Sequence, residues 1–238
     1  MEINELLENG SERFLPNLSL DHVIIGYQEN MLKCLLLKMG KKWMLPGGYI
    51  RKEQSVEEAA FEILKERTGL TKPHLKFLSV FGSADRKFDN DFREFFKTTG
   101  LPWREDYFMH HRFVTLAYYS LVDIAKTHPV PGAFDEAIGW HNFDELPAMW
   151  LDHKTIALTA RQRLKDDVRH ELVTYNLLPN HFTMPELHLL HQTILAQKLD
   201  RSRFQKKMLA SGLFERLPQL KNASPGRNPF QYRLVTKK

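Results

Sequence analysis

The chain has 238 residues, 42% hydrophobic and 26% charged, with a net charge of +5, a composition typical of a soluble globular protein of one large or two ordinary domains. Its single cysteine, Cys34, excludes an internal disulfide, and its place in an apolar run favours a small buried hydrophobe over a reactive thiol. The acidic N-terminus, and the lack of any apolar stretch near the ~18 residues of a membrane span, predict a cytoplasmic protein without a membrane partner.

The first two thirds of the chain alternate between predicted strands and helices. Ser55 is a good N-cap for the first helix and Gly69 a good C-cap. The order of strands, helix, strands and helix indicates a mixed α/β sandwich that ends near residue 170. The polar interval 83–111 exceeds the usual loop range, so we expect an insertion with its own structure, a functional lid or a mobile segment. The predicted strands are 22–27, 31–38, 75–81, 112–122 and 138–141, and the predicted helices are 56–67 and 153–169.

Residues 183–238 form a basic tail on a mildly acidic body. They hold 11 basic and 3 acidic residues, a charge of 11 − 3 = +8, so the rest of the chain carries 5 − 8 = −3. Thr183 and Asp200 are good N-caps for two short helices joined by a tight turn, and the second helix, 201–211, carries cations. A hairpin follows, with a basic loop at 218–229. This order predicts a winged helix that binds double-stranded DNA.

The predicted DNA contacts lie on the second helix and on the loop of the wing. A helix with several cations is often only a solvated surface, but here it is combined with a capped first helix, a short turn and a basic hairpin. Arg203 is the expected guanine contact. Lys221 and Arg227 are expected to lie along phosphate or in the minor groove. The full predicted set is Arg201, Ser202, Arg203, Lys206, Lys207, Lys221 and Arg227.

A second motif surrounds the helix at 56–67. Residues 45–70 resemble the Nudix box, G-x5-E-x7-R-E-U-x-E-E-x-G-U, where U is aliphatic. With Gly48 as the first glycine, the scaffold positions of the pattern match, whereas most of its chemical positions differ. Those positions hold Gln54 for the first glutamate, Glu62-Ile63 for the arginine–glutamate pair and Glu66-Arg67 for the paired glutamates.

These substitutions bear on catalysis. In a working Nudix box, carboxylates one turn apart on a helix hold Mg²⁺ against a diphosphate. Ile63 cannot ligate a metal and Arg67 places a cation where the metal would lie, so we expect no catalytic residue, no metal and no cofactor. Glu58, Glu62 and Glu66 are also spaced by four, which leaves a shifted cation site open, although such a stripe is more typical of a solvated face.

The whole chain resembles a group of Nudix-related transcriptional regulators of bacteria, which join a Nudix-like domain to a C-terminal winged helix and control sugar or NAD metabolism. The resemblance is closest at residues 45–50, 81–86, 175–183 and 199–207. It implies an α+β protein, with a Nudix-like α/β/α sandwich at 1–170 and a winged helix-turn-helix domain at 171–238. It also implies a homodimer, and a small-molecule effector, a sugar or an ADP-ribose-like compound, in the former substrate pocket.

Arg51, Asp85 and Arg86 are the candidate effector-binding residues, with a surface ion pair between Asp85 and Arg86 as the alternative. Three functions remain open from the sequence. They are a ligand-responsive transcriptional regulator, a Mg²⁺-dependent Nudix hydrolase of a nucleoside diphosphate derivative, and a non-catalytic scaffold whose tail binds RNA or a protein. Salt-sensitive, sequence-selective binding to duplex DNA would select the first of these, and Mg²⁺-dependent turnover the second.

Overall fold

The computed structural model of the chain describes residues 3–71, 74–87, 90–132, 134–171, 173–219 and 228–235. The α-helices are α1 (Ile3–Arg13), α2 (Val56–Thr68), α3 (Asn90–Thr99), α4 (His153–His170), α5 (Met184–Leu195) and α6 (Arg201–Ala210). The first seven strands are β1 (Phe14–Gln28), β2 (Met31–Met39), β3 (Lys42–Met44), β4 (Gly47–Arg51), β5 (His74–Phe81), β6 (Val114–Leu121) and β7 (Ala137–Asn142). The last three are β8 (Phe182–Thr183), β9 (Phe214–Gln219) and β10 (Phe230–Leu234).

Within the described residues, strands β1 to β7 form one sheet. Its main path runs β3-β2-β1-β6-β5, with β4 also paired to β1 and β7 to β2. Strands β1 and β6 are parallel, whereas the other pairs are antiparallel. Because β1 is 15 residues long, its first half pairs with β4 and its last residues pair with β2.

Helices cover both faces of this sheet. Side chains alternate along β1, so that Leu20 packs against α2 and Val23 packs toward α4. Helix α2 buries Ile63 in the first of these clusters, and α4 buries Ile156 in the second. Burying each such aliphatic side chain contributes about 1.5–3 kcal/mol. The predicted α/β/α sandwich is confirmed.

The first domain contains more elements than the sequence predicts. The sequence patterns did not predict α1, β3, β4, α3 or the first half of β1. In β1, Pro16 and Asn17 interrupt the apolar pattern. Asn17 has a φ of 60°, and the pairing of β1 with β4 shifts register between Phe14 and Ser19, which accommodates the interruption. Gly47 and Gly48 begin β4.

The long polar insertion, residues 83–111, has a structure of its own. It holds α3 and a short 3-10 turn at Phe108–His110. Its aromatic side chains, among them Phe92, Phe96 and Tyr107, form a buried cluster that also includes Leu7 of α1. The insertion and the N-terminal helix therefore fold together as one layer against the sheet.

The C-terminal part is a winged helix, as predicted. Strands β8, β10 and β9 form a small antiparallel sheet behind α5 and α6. Both predicted N-caps are confirmed: Thr183 and Glu186 form a capping box on α5, and the Asp200 carboxylate accepts the backbone N–H of Arg203 at 2.7 Å on α6. The predicted residues Lys221 and Arg227 lie outside the residues that the structure describes.

One hydrophobic core runs through both parts of the molecule. The same buried cluster contains Val23 and Ile156 of the sandwich and Leu190 and Phe204 of the winged helix. Hydrogen bonds also cross the junction: Lys126 donates to the Asn180 side chain at 2.8 Å, and Thr193 donates to the Asn30 carbonyl at 3.3 Å. Among the described helices, none is both long and apolar enough to cross a membrane.

Candidate functional site

Helix α2 forms one wall of a cavity in the first domain, and local sequence sets both ends of the helix. The Ser55 hydroxyl accepts the Glu58 backbone N–H at 3.2 Å, and the Glu58 carboxylate accepts the Ser55 backbone N–H at 3.0 Å. Hydrogen bonds from the Ser55 backbone N–H and the Ser55 hydroxyl to the Glu58 carboxylate lower the pKa of Glu58, because they stabilise its ionised form. Gly69 ends the helix with a φ of 72°. Glu58, the first residue of the predicted glutamate stripe, is therefore engaged at the helix terminus.

Strand β4 brings two glycines against α2 and β1. A Cβ added to Gly48 would lie 2.9 Å from Cδ1 of Ile63, and one added to Gly47 would lie 2.8 Å from Oδ1 of Asp21. Only glycine permits so close an approach. Ile63 is 9% exposed and packs with Leu20, so a box position that holds a carboxylate in the family pattern here belongs to the hydrophobic core.

Glu62 points into the cavity but is already hydrogen-bonded. Its Oε2 accepts from Nη1 of Arg51 at 3.1 Å and from Nε2 of Gln54 at 2.7 Å. Arg51 and Glu62 are both about half exposed at the cavity mouth. Arg51, a predicted effector-binding residue, thus lines the cavity beside the box helix.

Arg67 occupies the last glutamate position of the box and lines the same cavity. Its Nη1 donates to Oδ2 of Asp135 at 3.0 Å, and the exposed fractions of the two side chains are 20% and 4%. The backbone N–H of Gly132 also donates to that carboxylate, and the N–H of Val130 donates to the Arg67 carbonyl at 3.3 Å. Asp135, itself held by the Gly132 N–H, therefore keeps the guanidinium of Arg67 in place.

A second arginine is buried at the floor of the cavity. Arg86 donates to Asp21 at 2.7 Å through Nη2 and to Asp152 at 2.9 Å through Nε, and only 3% of its side chain is exposed. It also donates to the Phe113 carbonyl at 3.4 Å. Because Arg86 lies near the start of the insertion and Phe113 just after its end, this side chain ties both ends of the insertion to the sandwich.

His153 lies on the other side of the same aspartate. Its Nδ1 accepts the Leu45 backbone N–H at 2.9 Å, so the proton of the neutral ring is on Nε2, which lies 3.8 Å from Oδ1 of Asp21. Burial lowers the pKa of His153, although Asp21 opposes that shift. The cavity floor is thus a network of charged and neutral groups that satisfy one another.

The cavity has a volume of about 590 Å³ and two chemically different halves. Charged side chains from β1, β4, α2 and the segments next to them form one half, and apolar side chains from β1, β4 and the insertion form the other. Tyr49 lies between the two halves. The centre of its ring lies 4.9 Å from that of Phe108. Burial raises the pKa of Tyr49; the charge of Asp21 raises it further, and the charge of Arg86 opposes the rise. The apolar half includes Phe14, Phe92, Met109 and Phe113.

The second candidate site is the outer face of α6. Phe204 and Met208 are buried in the core, which turns the intervening side chains outward. All the predicted DNA contacts on this helix are exposed, namely Arg201, Ser202, Arg203, Lys206 and Lys207. Residues His188 and Gln192 of α5 hold the turn before α6, since His188 Nε2 lies 2.9 Å from the Leu199 carbonyl and Gln192 accepts the Leu199 N–H at 3.0 Å.

The structure separates the three predicted effector residues. Arg51 and Arg86 line the cavity, whereas Asp85 is exposed outside it and accepts a hydrogen bond from the Ser83 hydroxyl. The alternative of a surface pair between Asp85 and Arg86 is wrong, because Arg86 is buried with Asp21 and Asp152. Sequence reasoning missed Asp21 and Asp135 because both come from distant segments.

The fold and the sites together define a Nudix-type sandwich joined to a winged helix DNA-binding module. A family model described as the NUDIX domain matches residues 21–161, and one described as the NrtR DNA-binding winged helix domain matches residues 174–234. The chain therefore belongs to the NUDIX family and carries a winged helix of the NrtR type.

Individual relatives match over most of the chain. The chain is 26% identical over 225 residues to the ADPR responsive transcriptional repressor NtrR of Acinetobacter baylyi, which covers 91% of this chain and 80% of that protein. The crystal structure of Shewanella oneidensis NrtR complexed with a 27mer DNA matches with a TM-score of 0.72 and 24% identity, covering 92% of this chain and 93% of that one. A MutT/nudix family protein from Enterococcus faecalis matches with a TM-score of 0.67 and 20% identity over 99% and 94%.

Two of the box positions offer no ligand to a magnesium ion, which requires oxygen donors in a near-octahedral arrangement, whereas Glu66 keeps a carboxylate that lines the cavity. Ile63 has no donor atom, Arg67 is a cation, and Glu62 already accepts two hydrogen bonds on one oxygen. Among the described residues, no group of three or more His, Cys, Asp or Glu side chains is placed to hold a metal ion.

Proposed function

We propose that this chain is a DNA-binding transcriptional regulator whose Nudix domain senses an ADP-ribose-like metabolite without hydrolysing it. The observation that carries this proposal is the combination of a capped basic helix with a cavity whose box positions hold an isoleucine and an arginine. The name of the A. baylyi relative, an ADPR responsive transcriptional repressor, supports the same assignment. In this proposal the effector domain spans 1–170 and the DNA-binding domain 171–238.

Helix α6 enters the major groove of the operator in this proposal. Arg203 is the guanine contact, and Arg201, Ser202, Lys206 and Lys207 contact the groove or its flanking phosphates. Lys221 and Arg227 of the wing contact phosphate or the minor groove. The chain acts as a homodimer, because two winged helices related by a two-fold axis match an operator with two half-sites.

The two halves of the cavity match the two ends of a nucleoside diphosphate derivative. The aromatic half offers rings on which a base stacks, and the basic half offers Arg51 and Arg67 to the diphosphate. A volume of about 590 Å³ lies within the usual range of about 300–1,000 Å³ for small-molecule sites. Arg86 supports this half from below through its bonds to Asp21 and Asp152.

The continuous core supplies the route from effector to DNA. Helix α4 begins beside the cavity at His153, and Val168 in its last turn packs in the same cluster as Leu190 of α5. A ligand that binds two arrangements of these elements unequally shifts the population between them. The spacing of the two winged helices in the dimer, and hence operator affinity, then depends on occupancy.

One observation favours the second candidate, a hydrolase. Glu62 and Glu66 both line the cavity, one turn apart on α2. If they bound Mg²⁺, the purified chain would release phosphate-containing products from ADP-ribose in a magnesium-dependent way. We expect no such turnover.

The test is a capture of genomic fragments by the purified full chain, followed by anisotropy measurements on the selected duplex at several salt concentrations. We expect sequence-selective binding that weakens steeply with salt. Adding ADP-ribose should change the affinity about 5–150-fold, whereas unrelated sugars should not. Binding without sequence preference would instead favour the scaffold function, and rapid magnesium-dependent turnover would contradict a non-catalytic sensor.

A further inference from the structure

We infer that the guanidinium of Arg67 takes the place of the magnesium ion, so that the cavity binds the diphosphate of its effector without a metal. This inference rests on the proposed function, because it describes how the same cavity holds its ligand. It assigns a ligand class, a diphosphate ester free of metal, to the basic half of the cavity.

The position of Arg67 supports this assignment. It follows Ile63 by four residues on α2, so the two side chains lie on the same face of the helix. Both line the cavity together with Glu66 and Gly48. In the family pattern this face carries the metal-holding carboxylates, whereas here it presents one aliphatic group and one permanent cation.

The surroundings of Arg67 fix the guanidinium before any ligand arrives. Asp135, whose side chain is 4% exposed, holds Nη1 and is itself held by the Gly132 N–H. A Cβ added to Gly132 would clash with both Nη1 and Nη2 of Arg67. Glycine at this position therefore leaves the space that the guanidinium fills, and the cost of ordering the side chain is met in the unliganded state.

The chemistry of arginine matches a diphosphate. Its planar guanidinium stays charged and offers donors in a fork that fits phosphate oxygens. The hydrogen bond from Arg67 to Asp135 uses Nη1, and among the described residues the structure gives Nη2 of Arg67 no hydrogen-bond partner. The cavity lining holds five cations (Arg13, Arg51, Arg67, Arg86 and Lys87) and four carboxylates (Asp21, Glu62, Glu66 and Asp135), a formal charge of 5 − 4 = +1. Three of these cations are paired, Arg51 with Glu62, Arg67 with Asp135 and Arg86 with Asp21. The cavity therefore offers an anion the remaining guanidinium donors of Arg67 rather than a large excess of positive charge.

The decisive experiment is a calorimetric titration of the wild-type full chain with ADP-ribose, once in EDTA and once in excess Mg²⁺. We expect the two dissociation constants to agree within about twofold, because the protein itself supplies the cation. The double variant Arg67→Ala/Asp135→Ala removes the pair together, which avoids leaving a buried carboxylate alone. It should bind roughly tenfold to a hundredfold more weakly in both buffers.

A glycine pair provides a matched control that leaves every charge in place. Gly132→Ala should displace the guanidinium and weaken binding in both buffers. Gly139→Ala, in β7, adds a Cβ whose nearest neighbour lies 3.6 Å away, and it should bind like the wild type. If the double variant does not fold, the wild-type titrations and this glycine pair still decide the matter.

Three results would overturn the inference. Binding that requires Mg²⁺ would contradict it while leaving a ligand-sensing regulator intact. Metal-free binding that is unchanged in both Arg67→Ala/Asp135→Ala and Gly132→Ala would show that Arg67 is not the anion site. Failure of ADP-ribose to bind in either buffer would overturn the inference together with the proposed effector, whereas operator binding by the same preparation would still test the regulator separately.

Discussion

The cavity and the outer face of α6 are both rich in cations, yet they hold them in opposite ways. In the cavity, Arg67 and Arg86 are largely buried and each donates to a carboxylate at 3.0 Å or less. On α6, Arg203 and Lys206 are exposed, and the structure gives them no ion-pair partner among the described residues. A buried charge requires a partner, whereas a hydrated charge remains available to a phosphate backbone. In this protein, burial rather than residue type therefore decides whether a cation is fixed by a carboxylate or left hydrated at the surface.

The largest effect should come from breaking a buried pair. Arg86→Ala leaves Asp21 buried at the cavity floor without its main partner, so we expect a loss of about 3–5 kcal/mol in the free energy of unfolding, measured by urea denaturation. Arg169→Ala, which removes a half-exposed pair with Asp166 on α4, should cost less than about 1 kcal/mol. Equal losses from the two changes would remove the distinction between the buried and the exposed arginines.

The interior also contains a base that is neutral rather than paired. His22 is fully buried beside Asp21, and burial lowers its pKa to about 4. Between pH 6.5 and 4 the unfolded chain therefore takes up a proton that the folded chain does not, so stability falls as the pH falls, by an amount on the order of 3 kcal/mol.

The variant His22→Leu should flatten that pH dependence in urea titrations while preserving stability near pH 7.5. It will not abolish the dependence, because His191 is also buried and its pKa is likewise lowered to about 4. His170→Leu, at the exposed end of α4, is the matched control and should leave the profile unchanged. A profile for His22→Leu that coincides with the wild-type curve would contradict this assignment.

On the α6 side, the expected losses concern DNA rather than folding. Arg203→Ala should reduce the preference for operator over unrelated duplex by about 1–3 kcal/mol, because a base contact is lost. Lys207→Ala should weaken both duplexes similarly and lower the salt slope by about 1. Anisotropy titrations on both duplexes at several salt concentrations separate the two outcomes. An identical pattern for the two variants would mean that Arg203 does not read a base.

The smallest effect concerns the cap that starts α5. Thr183→Ala removes the hydroxyl that accepts the Glu186 N–H at 3.3 Å and should cost about 1 kcal/mol of stability. Thr183→Ser retains the hydroxyl and should behave nearly like the wild type. Urea denaturation midpoints of the wild type and the two variants, compared with a common m-value, measure this difference.

Local signals accounted for the elements that the sequence predicted well. Ser55 and Gly69 bound α2, and Asp200 begins α6, because caps act within one turn of the residues they satisfy. The first half of β1 was missed, since Pro16 and Asn17 hide its alternation. The helix in the insertion, α3, was also missed. It is stabilised by packing of its apolar face against α1 and the sheet, and such long-range packing does not follow from a local cap.

The candidate cavity was predictable only in part. The box register placed Arg67 and Ile63 on the cavity wall, and Arg51 and Arg86 were also found there. Asp85, which adjoins Arg86 in sequence, was predicted to lie in the same pocket, yet its side chain turns to Ser83 at the surface. Neighbours in a chain often face opposite ways, so adjacency is weak evidence for a shared site.

Periodicity, caps and box spacing are local properties, so they were enough to predict the mixed α/β sandwich, the winged helix and the replacement of carboxylates by Ile63 and Arg67. No local pattern indicates that Asp135, 68 residues away, holds Arg67, or that Asp21 and Asp152 hold Arg86; the folded chain brings these residues together. Such pairs form where chain packing excludes water, and that exclusion depends on the whole fold rather than on any one segment.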